Sequence, residues 1–198
     1  MRLCASLTAE NATLLRMSLA SWGAKAPHRL ERRGRQKELD RWVLNRLLYV
    51  RLALGEVEFP LRIYDSEGPD FEIHEGTRFF GLEVTEAADP EEQAYRTKIA
   101  KEDHPSVLSI PRRWTTGQRS RRLVHEAIER KASKHYAVGA SFLIYLNTYD
   151  DFFLSGREVL DLCVPLKDYA EIFSEVFVIS DKKVVALRRA EVIADIDE

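Results

Sequence analysis

The stretch GPDFEIHEGTRFFGLEVTEA, Gly68 to Ala87, constrains the fold more than any other part of the chain. Its residues alternate in character with a period of two, the period of a half-buried strand. Phe71 and Ile73 fall on one face of a first strand, with Asp70, Glu72 and His74 on the other. After a turn around Glu75 and Gly76, Phe80, Leu82 and Val84 share one face of a second strand, and Gly81, Glu83 and Thr85 share the other. Pairing His74 with Phe79 sets Ile73 against Phe80 and Phe71 against Leu82, so the apolar residues gather on one side as register selection demands. The same register sets Asp70 against Glu83, with Cβ atoms roughly 5 Å apart.

Two carboxylates facing each other across a sheet destabilise it, and one of them resists ionising unless something compensates. A hard divalent cation is one compensation: Mg²⁺ takes one or two protein carboxylates and leaves its other positions to water and phosphate oxygens. The other is a solvated face on which the acids hold Arg or Lys partners.

The rest of the chain places this hairpin in an α/β context. Gln36 to Gly55 reads as a helix, with Leu39, Trp42, Val43, Leu47, Val50 and Leu54 recurring at three and four and Gly55 as its stop. PLRIYDSEG gives a short strand before the hairpin. Pro90 to Glu102 starts with Pro and acids, the signature of a helix N-terminus. DHPSVLSIPRRWTTG has two prolines and no period, so it is expected to be a long loop. QRSRRLVHEAIERKASKHYA is a second long helix, with Val124, Ala127, Ile128 and Ala132 on its apolar stripe. SFLIYLN is nearly all apolar, as a strand buried on both faces should be. EVFVIS and KVVALRR flank Asp181-Lys182 as a closing hairpin. The order is helix, three strands, helix, apolar strand, then additions, which builds a mixed sheet with helices packed on it. Residues 1–33 are expected to form an N-terminal extension with one short helix, and 34–198 a single α/β domain.

With this order in place, Pro69-Asp70 followed by Glu83-Val84-Thr85 on the next strand resembles the signature of the PD-(D/E)xK nuclease superfamily. The resemblance spans Gln36 to Asn147. It implies a restriction-endonuclease-like fold: a mixed central sheet flanked by helices, with the C-terminal hairpin as an addition. It also implies metal-dependent hydrolysis of phosphodiester bonds in nucleic acid, with Mg²⁺ or Mn²⁺ held by Asp70, Glu83, the carbonyl of Val84 and a glutamate of the first helix, Glu38.

The chain departs from the pattern at Thr85, where the family carries its lysine, and Thr supplies no cation. In some similar proteins a lysine from a neighbouring helix replaces it. Lys131 continues the stripe of Val124, Ala127 and Ile128 toward the sheet and is the first candidate for a catalytic cation, ahead of Lys134, Lys98 and Gln118. Thr85 also keeps open a degenerate member of the family, one that binds nucleic acid or a protein partner without cleaving.

Arg112 and Arg113 in the long loop, and Arg119, Arg121 and Arg122 at the start of the second long helix, are candidate phosphate contacts. Trp114 beside them could stack on a base. Arg at a helix start opposes the macrodipole, which favours an outside partner. Net charge is −2, so any nucleic-acid binding must come from such local patches.

Other chemistries lack their signals. The five histidines show no zinc spacing, and there is no Gly-rich phosphate loop or nucleophile elbow. His74 shares the face of Asp70 and is read as a surface residue. Cys4 and Cys163 stand far apart, as reduced thiols of a cytoplasmic protein would. NATLLRMSLASWGAKA is broken by Arg16 and preceded by Glu10, so it is not read as a secretory signal. No apolar run approaches the ~18 residues of a membrane span. DNA or RNA is the expected partner, a membrane is not, and a homodimer is left open.

Overall fold

A computed structural model of the chain describes residues 6–32, 34–101, 118–133, 139–163, 172–180, 183–187, 189 and 191–195. They form a mixed sheet of eight strands in the order β1 to β8, flanked by five α-helices. The strands are β1 (Leu7–Ala9), β2 (Leu61–Asp65), β3 (Phe71–Glu75), β4 (Arg78–Ala87), β5 (Ser141–Leu146), β6 (Glu175–Ile179), β7 (Lys183–Ala186) and β8 (Glu191–Asp195). The helices are α1 (Ala12–Leu19), α2 (Gln36–Ala53), α3 (Pro90–Ala100), α4 (Gln118–Ala132) and α5 (Gly156–Cys163). β4, β5 and β6 run parallel, and all other neighbours are antiparallel. The two parallel steps are made by helical crossovers: α3 and α4 between β4 and β5, and α5 between β5 and β6.

Strand alternation splits the core in two. Leu82 and Val84 of β4, with Leu143 and Tyr145 of β5, pack in the layer that holds Leu15 and Leu19 of α1 and Val43, Leu44, Leu47 and Leu48 of α2. Ala87, Phe142, Ile144 and Leu146 point the other way, onto Leu123, Val124, Ala127 and Ile128 of α4 and Val159 and Leu160 of α5. β5 is buried at all six positions, as its unbroken apolar run requires.

Local chemistry sets the helix ends. Gly55, at φ +72°, lies just past the end of α2 in a conformation that favours glycine. Leu54, expected on the apolar stripe, is the C-cap and is exposed, because the helix has ended before it. Asp89 caps α3 by accepting from the N–H groups of Glu91 and Glu92, with Pro90 in its first turn.

The N-terminal segment is part of the same sheet. β1 pairs antiparallel with β2, Leu15 and Leu19 are fully buried, and Asn45 of α2 donates to the Leu19 carbonyl at 2.9 Å. The closing hairpin forms between β6 and β7 and is extended by β8. α5, β1 and β8 have no counterpart in the sequence-based reading. The expected long loop lies outside the described residues, as do the turn residues Asp181 and Lys182.

Candidate active site

The β3–β4 hairpin takes the register expected from alternation: His74 opposite Phe79, Ile73 opposite Phe80, Phe71 opposite Leu82. The ladder stops there, and Asp70 stands one residue outside β3. Its Oδ2 accepts the Val84 N–H at 2.9 Å, so a carboxylate oxygen takes the place that a backbone carbonyl of β3 would fill. A residue in an extended strand points its N–H and C=O to the same neighbour. The Val84 carbonyl is therefore aimed toward the edge where Asp70 sits.

Two contacts hold Asp70 there. Pro69 lies against Gly81 so closely that a Cβ at Gly81 would come within 2.6 Å of Pro69 Cγ. From α2, Lys37 Nζ donates to the carbonyls of Asp70 at 2.7 Å and Ser66 at 3.1 Å, and stands 3.9 Å from Asp70 Oδ1.

Glu83 and Thr85 point to the α4 side and are buried, at 5% and 8% exposure. A buried carboxylate requires a partner. Lys131 supplies it: Nζ lies 2.5 Å from Glu83 Oε2. The neighbouring Arg130 donates to Thr85 Oγ1 at 3.0 Å. Consecutive residues at the end of α4 thus address alternate residues of β4. A cation stands over Glu83 although the strand carries no lysine.

The first long helix presents a different acid from the one selected by sequence. Glu38 accepts two hydrogen bonds from Arg35, at 2.7 and 2.5 Å, which hold its carboxyl below the ordinary range. It lines a cleft of about 620 Å³ with His28, Glu31 and Arg41. The acid of α2 within electrostatic reach of Asp70 is Asp40, 4% exposed. Burial pushes its carboxyl up to about 6; the Gln36 amide, 2.8 Å away, opposes this, Asp70 adds to it, and Lys37 and Lys131 oppose it. Positions two apart on a helix lie nearly on opposite faces, so α2 cannot turn both acids to one neighbour. The missed signal is an acid inside the apolar stripe Leu39, Val43, Leu44, Leu47.

The remaining candidates are spread out. Lys98 and Gln118 are exposed. Arg119 pairs with Asp89 at 2.9 Å, and Arg122 lies 3.6 Å from both Asp89 and Glu126. Asp150 accepts from the Ser120 N–H at 3.2 Å and from its hydroxyl at 2.5 Å. Arg119 and Arg122 at the start of α4 thus share an acid partner within the molecule, Asp89, while Asp150 caps the helix start through Ser120. Arg121 is exposed. Arg112, Arg113, Trp114 and Lys134 lie outside the described residues. A larger cavity, about 720 Å³, opens toward the hairpin end of β4 and contains Arg51 and Glu75, paired at 2.8 Å, but neither Asp70 nor Glu83.

Among the described residues, no group of three His, Cys, Asp or Glu side chains converges as a ready metal cage. A hydrated ion such as Mg²⁺ takes only one or two protein carboxylates and keeps several waters, so its site need not form such a cage. Among the described residues no helix is long and apolar enough to cross a membrane. Comparison of the chain with family models, with curated proteins and with solved structures gives no match.

Proposed function

We propose that the chain is a metal-dependent nuclease of restriction-endonuclease-like fold, with Asp70, Glu83 and Lys131 as its working residues. The observation that carries this is the Lys131–Glu83 contact at 2.5 Å, beside the Asp70 carboxylate on the Val84 N–H. It supplies, from a helix, the cation that Thr85 withholds from the strand.

Asp70, Glu83 and the Val84 carbonyl are the groups that would hold Mg²⁺ or Mn²⁺. The ion's chemistry when bound is to polarise a phosphoryl oxygen and lower the pKa of a coordinated water. Lys131 neutralises Glu83 in the resting protein and is placed to stabilise charge developing on the phosphoryl group. Lys37 fixes the backbone at Asp70 and so the direction of its carboxylate. Asp40, buried behind Asp70, raises the local negative potential once it ionises.

The test is cleavage of single- and double-stranded DNA and RNA in Mg²⁺ or Mn²⁺ by wild type, Asp70→Ala and Glu83→Ala. Loss of cleavage in both variants is expected. Cleavage that survives both substitutions removes the site assignment. Nucleic-acid binding without cleavage under either metal selects the degenerate reading.

A further inference from the structure

Among the described residues, no helix covers the Glu83 face of the sheet along β2 and β3. Leu61 and Ile63 of β2 and Phe71 and Ile73 of β3 point into the α1–α2 layer, so Arg62, Tyr64, Glu72 and His74 point outward. The opposite helical layer reaches β4 through β8 and includes no residue of β1, β2 or β3 among the described residues. On this face three rings stand in a row. Tyr64 and His74 meet edge to face with centroids 5.2 Å apart, and His74 and Phe79 do the same at 4.7 Å. Phe79 is 62% exposed and His74 is also exposed.

We infer that this row is a base-stacking strip for single-stranded nucleic acid, leading to Asp70 and Glu83. This deepens, and rests on, the reading that the chain acts on phosphodiesters. Four observations carry it. Exposed aromatic faces stack any base without reading its sequence. The strip is continuous with the candidate site: along β3, His74 and Asp70 are four residues apart, about 13 Å at the strand rise. A strand stacked on the rings therefore needs only a few nucleotides to present a phosphate to the acids. Cations bracket the path, with Arg62 beside His74 and Arg130 and Lys131 of α4 at the other end; the Arg62 side chain is 48% exposed. Glu72 lies on the floor between the rings and Asp70 and repels phosphates, so bases must face the sheet and the backbone must face outward. Glu10, 3.8 Å from Arg62, is the acid that a bound strand would displace at the far end. A duplex, with its bases already stacked on each other, offers the rings nothing.

The test is fluorescence anisotropy with labelled oligo(dT) and oligo(U) of roughly twelve nucleotides, within the span of known single-strand sites, in EDTA so that no cleavage occurs. Phe79→Ala and His74→Ala should each weaken binding about tenfold, in line with the loss of one stacked base. Phe79→Trp should bind at least as well as wild type. Both positions are exposed, and circular dichroism confirms that the variants remain folded. Equal affinity of Phe79→Ala and wild type, duplex binding as tight as single-strand binding, or no binding at all overturns the inference. The two readings fail separately. If the ring variants lose binding while wild type cleaves nothing in Mg²⁺, the strip stands and the nuclease falls. If wild type cleaves and Phe79→Ala binds and cleaves equally well, the reverse holds.

Discussion

Replacing Asp40 by Asn should make the protein more stable at neutral pH and leave it unchanged in acid. Asp40 is buried behind Asp70, and burial is the largest cause of its carboxyl rising from 3.8 to about 6. A raised acid favours the protonated form in the folded state. Its contribution to stability is therefore fully present below 3.8 and is lost as the pH climbs through about 6. The difference of about 2 pH units, at 1.36 kcal/mol each, amounts to about 3 kcal/mol as an order of magnitude. Asn stays neutral at every pH and can still accept from Gln36, so it retains what wild type loses. Urea unfolding of both proteins from about pH 4 to about pH 8 measures the effect. The midpoints should coincide near pH 4 and separate through pH 6, with Asp40→Asn the more stable by up to about 3 kcal/mol. An ion at Asp70 should move the wild-type transition to lower pH, since it favours ionised Asp40. A constant offset at all pH values, or a variant less stable at pH 8, would refute the reasoning, since either would mean that Lys37 and Lys131 hold the ionised form.

Three further outcomes follow from packing. Lys131→Met strands a buried carboxylate and should lower stability by about 3–5 kcal/mol, most of it recovered in the Glu83→Gln/Lys131→Met double variant, as a double-mutant cycle in denaturant will show. Gly81→Ala drives a methyl into Pro69, 2.6 Å from its Cγ; it should cost about 1–3 kcal/mol and reduce any activity further by displacing Asp70. Cys163 is buried, with its thiol pushed up to about 12; it should stay unlabelled by iodoacetamide at pH 8 in the native protein and react once unfolded, as mass spectrometry will record.

What could be read from the sequence divides along physical lines. The β3–β4 register was legible because a one-residue slip would turn Phe71, Ile73, Leu82 and Val84 out of the core. β5 was legible because a strand buried on both faces needs no periodicity. Lys131 was legible as the residue that carries the α4 stripe toward the sheet. Glu38 fits the family pattern by its place on the first helix, although Asp40 lies inside the apolar stripe that marks which side of α2 is chosen to face the sheet. That choice is made by α1, which α2 binds through Asn45, and by Lys37 reaching back to Asp70. β1 and β8 are short edge strands whose pairing depends on distant partners, and their local patterns are weak. That Arg119 and Arg122 at the start of α4 pair with an acid of the same chain was not legible, because Asp89 lies far off in sequence.

Calorimetric titration with Mn²⁺ tests most directly whether Asp70 and Glu83 form a metal site. Wild type should bind one ion per chain, with the heat abolished in Asp70→Asn, whose side chain is partly exposed and whose fold should survive. The absence of binding in wild type, or unchanged binding in Asp70→Asn, would contradict the assignment.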